Sequence, residues 1–238
     1  MNIHIQDIHP LSTDKKKWNA IQNCLKEKIS KVNRLTATDI QFIAGVDVAY
    51  WEDEGIEWGV CSIIVMDYAT KAVIEETHST GIVEVPYVPG YLAFRELPLV
   101  IETAKKLIHT PDLFMFNGNG YLHPRHMGIA THASFFLNKP TIGIAKSYLK
   151  IADAEFEMPK NSAGSFTDII INKKIYGRVL RTHQDVKPIF VSSGNYIDLP
   201  TATTITEQLI NSESRLPIPV RLADLATKKY RRQLRNNK

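Results

Sequence analysis

A mixed α/β sheet with helices on both faces is the fold class the sequence predicts, and three observations lead there. Three β-rich segments between residues 41 and 80 are separated by short turn-forming stretches, which describes an antiparallel meander. Two short apolar runs, 112–116 and 141–145, bracket a helical pattern at the spacing of a parallel βαβ crossover. Amphipathic helical patterns precede, separate and follow these strands.

Taken in order, Thr13 or Asp14 caps a helix running to about residue 34. Trp18, Ile21, Leu25, Ile29 and Val32 recur there at helical spacing, with lysines on the solvated side. Strands follow over 41–51, 58–67 and 72–80, joined by turns at Asp53-Glu54-Gly55 and at 68–71. Pro86 and Pro89 keep residues 85–90 out of any central strand, because proline cannot donate to a ladder. Residues 97–108 read as a helix with Pro98 in its first turn and Glu102 paired to Lys106. The strand 112–116, the helix 125–137 and the strand 141–145 form the crossover. Further strands are expected over 175–182 and 188–192, and helices over 201–211 and 222–234. A meander feeding a parallel βαβ half is a ribonuclease H-like arrangement. It is expected as one domain over residues 1–238, with a basic tail from about residue 228.

Apolar residues make up 44% of the chain and charged residues 23%, a globular rather than a disordered composition. A net charge of +4 permits an anionic partner without requiring one. Cys24 and Cys61 stand in no metal-ligand or redox spacing and are expected as reduced core thiols of a cytoplasmic protein. The N-terminus MNIHIQDIHP lacks the basic and apolar regions of a signal peptide. The longest apolar runs are far too short to cross a bilayer, so no membrane partner is expected.

Asp47 interrupts an apolar strand. By alternation, Phe42, Ala44, Val46, Val48 and Tyr50 share one face, and Asp47 shares the other with Ile43, Gly45, Ala49 and Trp51. A carboxylate there is costly unless paired or bound to a metal, and a structural ion pair fits the pattern equally well. Glu96 suits a surface ion pair as well as a ligand role, Asp112 suits a turn, and the loop residue His123 suits a backbone hydrogen bond. Asn117 and Lys146 end the two short parallel strands. Sites in open α/β sheets gather at the carboxyl ends of strands, and Asp47, Asn117 and Lys146 fall at or near such ends. Carboxylates converging there would hold Mg²⁺, or Mn²⁺ in its place, which prefers oxygen ligands and can activate water beside a phosphate.

Several ordered stretches carry a family resemblance. They are Ile43-Ala44-Gly45-Val46-Asp47, Pro86-Tyr87-Val88-Pro89-Gly90 with Leu92 to Glu96, and Asn117-Gly118-Asn119-Gly120 with His123-Pro124-Arg125. Gly128-Ile129-Ala130, Pro140 to Ser147, Val191-Ser192, Arg215-Leu216-Pro217 and Arg221-Leu222-Ala223-Asp224 continue the series. Over residues 10–230 the chain closely resembles the endonuclease V family. The resemblance implies a ribonuclease H-like fold and a Mg²⁺-dependent endonuclease of DNA repair that nicks 3′ of a deaminated base, chiefly hypoxanthine. The expected partners are single- or double-stranded DNA and inosine-containing RNA, met by a monomer. The resemblance assigns Asp47 and Glu96 to the metal and Lys146 to the phosphate or attacking water. It assigns Pro86, Tyr87, Val88 and Pro89 to a wedge entering the strand, and Gly90, Leu92, Gly118, Gly120, His123 and Ile129 to the pocket for a flipped base.

Two positions depart from the family pattern. Asn117 stands where the family has an aspartate, and Asn195, in Ser193-Gly194-Asn195, where it commonly has a histidine. Asn117 therefore enters as an uncharged third ligand and catalytic residue, and a non-cleaving lesion-binding protein is the alternative function. An Asn-Gly step at 117–118 could also deamidate to aspartate. The acid-free tail that begins at Lys228 could track phosphates or simply complement the helix dipole.

Overall fold

In the computed structural model, which describes residues 3–11, 14–151 and 154–236, the meander is present as predicted. Strand β1 (Phe42–Asp53) pairs antiparallel with β2 (Ile56–Asp67), and β2 with β3 (Val73–Ile82). Glu54 and Gly55 turn between the first two with positive φ. Strand β4 (Leu113–Asn117) lies parallel to β1 on its other side. Helix α3 (Ile129–Leu137) then carries the chain to β5 (Thr141–Ala145), parallel to β4. Strands β6 (Phe166–Ile171), β7 (Lys174–Leu180) and β8 (Ile189–Ser193) complete one eight-stranded sheet in the order β3-β2-β1-β4-β5-β8-β7-β6.

Both faces are covered. Helix α2 (Leu92–Ala104) and α3 pack on Ala44, Val46, Ile63, Phe114 and Phe116. Helices α4 (Leu199–Gln208) and α5 (Ile218–Asn236) pack on Ile43, Met115, Ile142, Ile144 and Val191. Burial on two sides makes β4 and β5 continuous apolar runs rather than alternating ones. This is the helix-flanked, ribonuclease H-like mixed sheet.

The differences from sequence expectation have local causes. Helix α1 (Lys15–Lys26) is capped by the Asp14 carboxylate and stops well short of residue 34, while Thr13 lies outside the described residues. Residues 30–34 instead pair with the end of the sheet: Tyr196 N–H donates to the Ser30 carbonyl, and Arg34 N–H to the Tyr196 carbonyl. Helix α2 begins five residues earlier than expected and holds Pro98 in its interior. The burial of Ala93, Phe94, Leu97 and Val100 outweighs the hydrogen bond that Pro98 cannot donate. Glu102 pairs with Lys105 rather than Lys106, which donates to the His78 carbonyl. Helix α3 starts at Ile129 rather than 125 because the backbone of 121–127 turns, with His126 at φ 58°. Strand β6 was not expected. Cys61 is buried, but Cys24 is exposed rather than a core thiol, and both are free.

Candidate active site

The register of the parallel strands builds one row of side chains. Val46 lies beside Phe116, and Asn117 beside Ile144, so Asp47 and Asn117 stand level where β4 ends. Asp47 is thus inside the longer β1, yet at the carboxyl edge of the parallel strands. Alternation buries Ile43, Leu113, Met115, Ile142 and Ile144 against α4 and α5 and turns Asp47, Asn117 and Lys146 toward α5 as well. Gly45 permits the close approach of that helix, since a Cβ on it would sit 2.0 Å from the Pro219 carbonyl oxygen. In consequence Thr227 Oγ1 donates to Asp47 Oδ2 at 2.6 Å, and Lys146 Nζ donates to Asp224 Oδ1 at 2.8 Å. Asn117 Nδ2 donates to the other Asp47 oxygen at 2.6 Å.

Glu96 arrives from α2, on the opposite face of the sheet. The Tyr50 hydroxyl donates to it at 2.7 Å. Burial pushes the Glu96 carboxyl up to about 8, the Tyr50 hydrogen bond opposes that, and the nearby Asp47 charge adds to it. Burial likewise raises Asp47, against the Thr227 and Asn117 hydrogen bonds. At Asp224, burial is outweighed by the Lys146 and Lys228 hydrogen bonds, which hold its carboxyl below the usual range.

Two desolvated carboxyls within electrostatic reach, bonded only to neutral donors, fit a hard cation. Among the described residues no three acidic, histidine or cysteine side chains converge closely enough to hold one alone. The donor set is therefore two carboxylates and an amide, which suits a cation that keeps waters and shares a substrate phosphate. Asn117 presents its NH₂ to Asp47, so a ligand role would require the amide to turn its oxygen inward. Its conversion to aspartate would need the Gly118 N–H, which is held at 2.9 Å by the Ile144 carbonyl.

One helical turn before Glu96, Leu92 lines a cavity of about 80 Å³ together with Tyr87, Gly90, His123, Asn119 and Ile129. Tyr87 is exposed at its mouth. Gly90 has φ +80°, a backbone conformation strained for any side chain, and the Arg125 guanidinium stands 2.9 Å from where a Cβ would be. Its carbonyl accepts from Arg125 at 2.8 Å and from His123 Nε2 at 3.0 Å. His123 Nδ1 accepts from the Arg125 and Met127 N–H groups, which fixes the neutral tautomer. Burial, helped by the Arg125 charge, lowers the ring to about 4. Asn119 Oδ1 is buried with no hydrogen-bond partner among the described residues.

The residues predicted from sequence thus fall into two groups. Asp47, Glu96 and Asn117 form the carboxylate end, beside which Lys146 is tied to Asp224. Gly90, Leu92, His123 and Ile129 line the cavity. Gly118 backs onto Ile129 and Gly120 onto the Ser193 carbonyl, and neither lines the cavity. Asp112 binds the Gln41 and Phe42 N–H groups and is structural. Asn195 binds the Ser30 and Tyr196 N–H groups. Sequence reasoning missed Tyr50, Thr227, Asn119 and Asp224 as site residues. Asn119 and Asp224 left a signal, since both stand in stretches that carry the family resemblance. Asp224 is also the last acid before a wholly basic helix end, four residues ahead of Lys228.

The profile of the family described as Endonuclease V matches residues 23–225. Endonuclease V of Clostridium acetobutylicum is 60% identical over 223 residues, covering 94% of this chain and 95% of its own. The crystal structure of the Bacillus subtilis endonuclease V superposes with a TM-score of 0.96 at 55% identity, covering both chains completely. That of Ciona intestinalis endonuclease V, in complex with a 24mer DNA containing an inosine followed by a ribo-adenosine, gives 0.83 at 26% identity. It covers 94% of this chain and all of its own.

Proposed function

The chain belongs to the endonuclease V family, and from that membership we propose that it is a Mg²⁺-dependent endonuclease that nicks DNA 3′ of a deaminated base, chiefly hypoxanthine. The observation that carries this reading is the pair of buried carboxyls, Asp47 and Glu96, one helical turn along α2 from a cavity under an exposed tyrosine. The single sheet supports its acting as one domain, and we extend the proposal to a monomer that also accepts inosine in RNA.

Asp47 and Glu96 would hold the cation, with the Asn117 oxygen as an uncharged third donor. Bound there, it would supply Lewis acidity and an activated water. The protein's own residues do the rest. Lys146, steadied by Asp224, brings positive charge to the scissile phosphate. Tyr87 offers a ring on which a base can stack, on a loop that Pro86 and Pro89 stiffen. The cavity takes the flipped base, with Leu92 and Ile129 as apolar walls. Asn119 Oδ1, which has no partner among the described residues, would accept the N1–H of hypoxanthine. Adenine has no hydrogen at N1 and would leave that acceptor unpaired.

The Asn117–Asp47 hydrogen bond favours a second reading, a lesion-binding protein that does not cut. It satisfies with a neutral amide the carboxylate oxygen that a cation would need. End-labelled single strands carrying one inosine, as DNA and as RNA, incubated with Mg²⁺ or Mn²⁺, separate the two. Nicking 3′ of inosine by the unaltered protein but not by Asp47→Ala supports the enzyme. Cutting only by Asn117→Asp, with inosine binding intact in the unaltered protein, establishes the sensor.

A further inference from the structure

Beyond Asp224, helix α5 carries no acidic residue, and the chain ends KKYRRQLRNNK. Lys228, Arg231, Arg232 and Arg235 recur at i, i+3, i+4 and i+7 and together line an open groove of about 310 Å³. Each of the close pairs among them is a like-charge pair, an arrangement that destabilises a helix when no anion lies against it. The same helical stripe begins at the carboxylate end of the site. Lys228 donates to Asp224 at 2.7 Å, and Arg231 donates to the Tyr50 carbonyl at 3.4 Å. Arg232 and Arg235 continue the stripe outward, exposed and without an acidic partner among the described residues.

We propose that this face of α5 is a ridge that follows the phosphates of duplex DNA on one flank of the site. The proposal rests on the reading of Asp47 and Glu96 as a nuclease site only for where the ridge begins, because phosphate contacts carry no sequence information. At 1.5 Å per residue the stripe from Asp224 to Arg235 spans about 16 Å, or roughly five base pairs at 3.4 Å per step. The ridge is therefore blind to the lesion and sensitive to the length of one flank.

The test measures equilibrium binding of the full chain and of an Arg232→Gln/Arg235→Gln double variant in EDTA. Duplexes with and without one inosine are titrated between about 50 and 200 mM salt. Loss of two phosphate contacts should make the slope of log K against log[salt] shallower by about 2 on both duplexes. The salt-induced loss of affinity across that range would then be roughly tenfold smaller for the variant. Trimming one flank, but not the other, below about five base pairs should erase the difference between the proteins. Equal slopes for the two proteins on both duplexes overturn the ridge. A slope difference on both duplexes without any inosine preference in the unaltered protein keeps the ridge and removes the lesion-recognition reading instead. An unchanged melting temperature in the variant confirms that its fold is intact.

Discussion

At the carboxylate end, Asp47 and Glu96 receive hydrogen bonds from Thr227, Asn117 and Tyr50, all neutral, and both carboxyls are raised by burial. One turn away along α2, the cavity wall is built the other way. His123 and Arg125 converge on the Gly90 carbonyl, and the His123 ring is pushed down to about 4. The first region gathers two desolvated carboxyls against neutral hydrogen-bond donors, whereas the second spends its donors on holding backbone in place. On the proposed function, chemistry and recognition are thus separable, and substitutions at one end should leave the other largely intact.

The largest break between the two should come from Asp47→Ala. Losses around a metal site cost about 10–100-fold even beyond the direct ligands, so nicking should fall at least about 100-fold. Inosine binding in EDTA should change little. Parallel loss of both would show that the regions are one unit.

Asn117→Asp should move activity in the opposite direction, raising nicking at limiting Mg²⁺ by about 10–100-fold. It replaces the 2.6 Å donor to Asp47 with a like charge, so it should also lower the melting temperature in EDTA and make Mg²⁺ stabilise the protein more. A variant that gains neither activity nor metal-dependent stability would mark Asn117 as a fully adequate ligand.

Tyr87→Ala sharpens the comparison from the cavity side. The ring is exposed, so stability should stay within about 0.5 kcal/mol. Loss of one stacking contact should weaken inosine-strand binding by about 1–3 kcal/mol. Strong destabilisation on melting would mean the loop is part of the core instead.

The smallest effect is in the pH dependence of melting without metal. Glu96 has a folded pKa raised to about 8, so its stabilisation is complete below its unfolded value and fades as pH rises toward 8. His123, lowered to about 4, contributes above its unfolded value and is lost as pH falls. The two slopes oppose each other at intermediate pH. Between about pH 6.5 and 8 the Glu96 slope contributes on the order of 2 kcal/mol or roughly 4–8 °C. Glu96→Gln should flatten that limb and leave the acid limb, and a limb unchanged in Glu96→Gln would assign it to another group.

Much of the fold was legible because its signals are local. Alternation in β1 put Asp47 on the face away from Tyr50, and the structure has them meeting different helices. Strand β6 was not legible because its apolar residues fall on both faces. Ile169 and Ile171 are buried while Phe166 and Ile170 are exposed at the sheet edge, so the run Ile169-Ile170-Ile171 shows no polar–apolar alternation. The start of α2 is not legible because Pro98 disfavours a helix interior by local rules, and only the tertiary burial of the surrounding residues tolerates it.

The sequence by itself determined the meander, the crossover, the covered faces and the anomaly of Asp47. These follow from periodicity, turn chemistry and the cost of placing a charge in an apolar strand. Glu96 was singled out by the family resemblance and not by any local pattern. Tertiary structure alone decided the partnerships. Thr227 reaches Asp47, and Asp224 reaches Lys146, across sequence separations of 180 and 78 residues. No local pattern encodes such contacts, since they depend on how closely α5 can lie against Gly45.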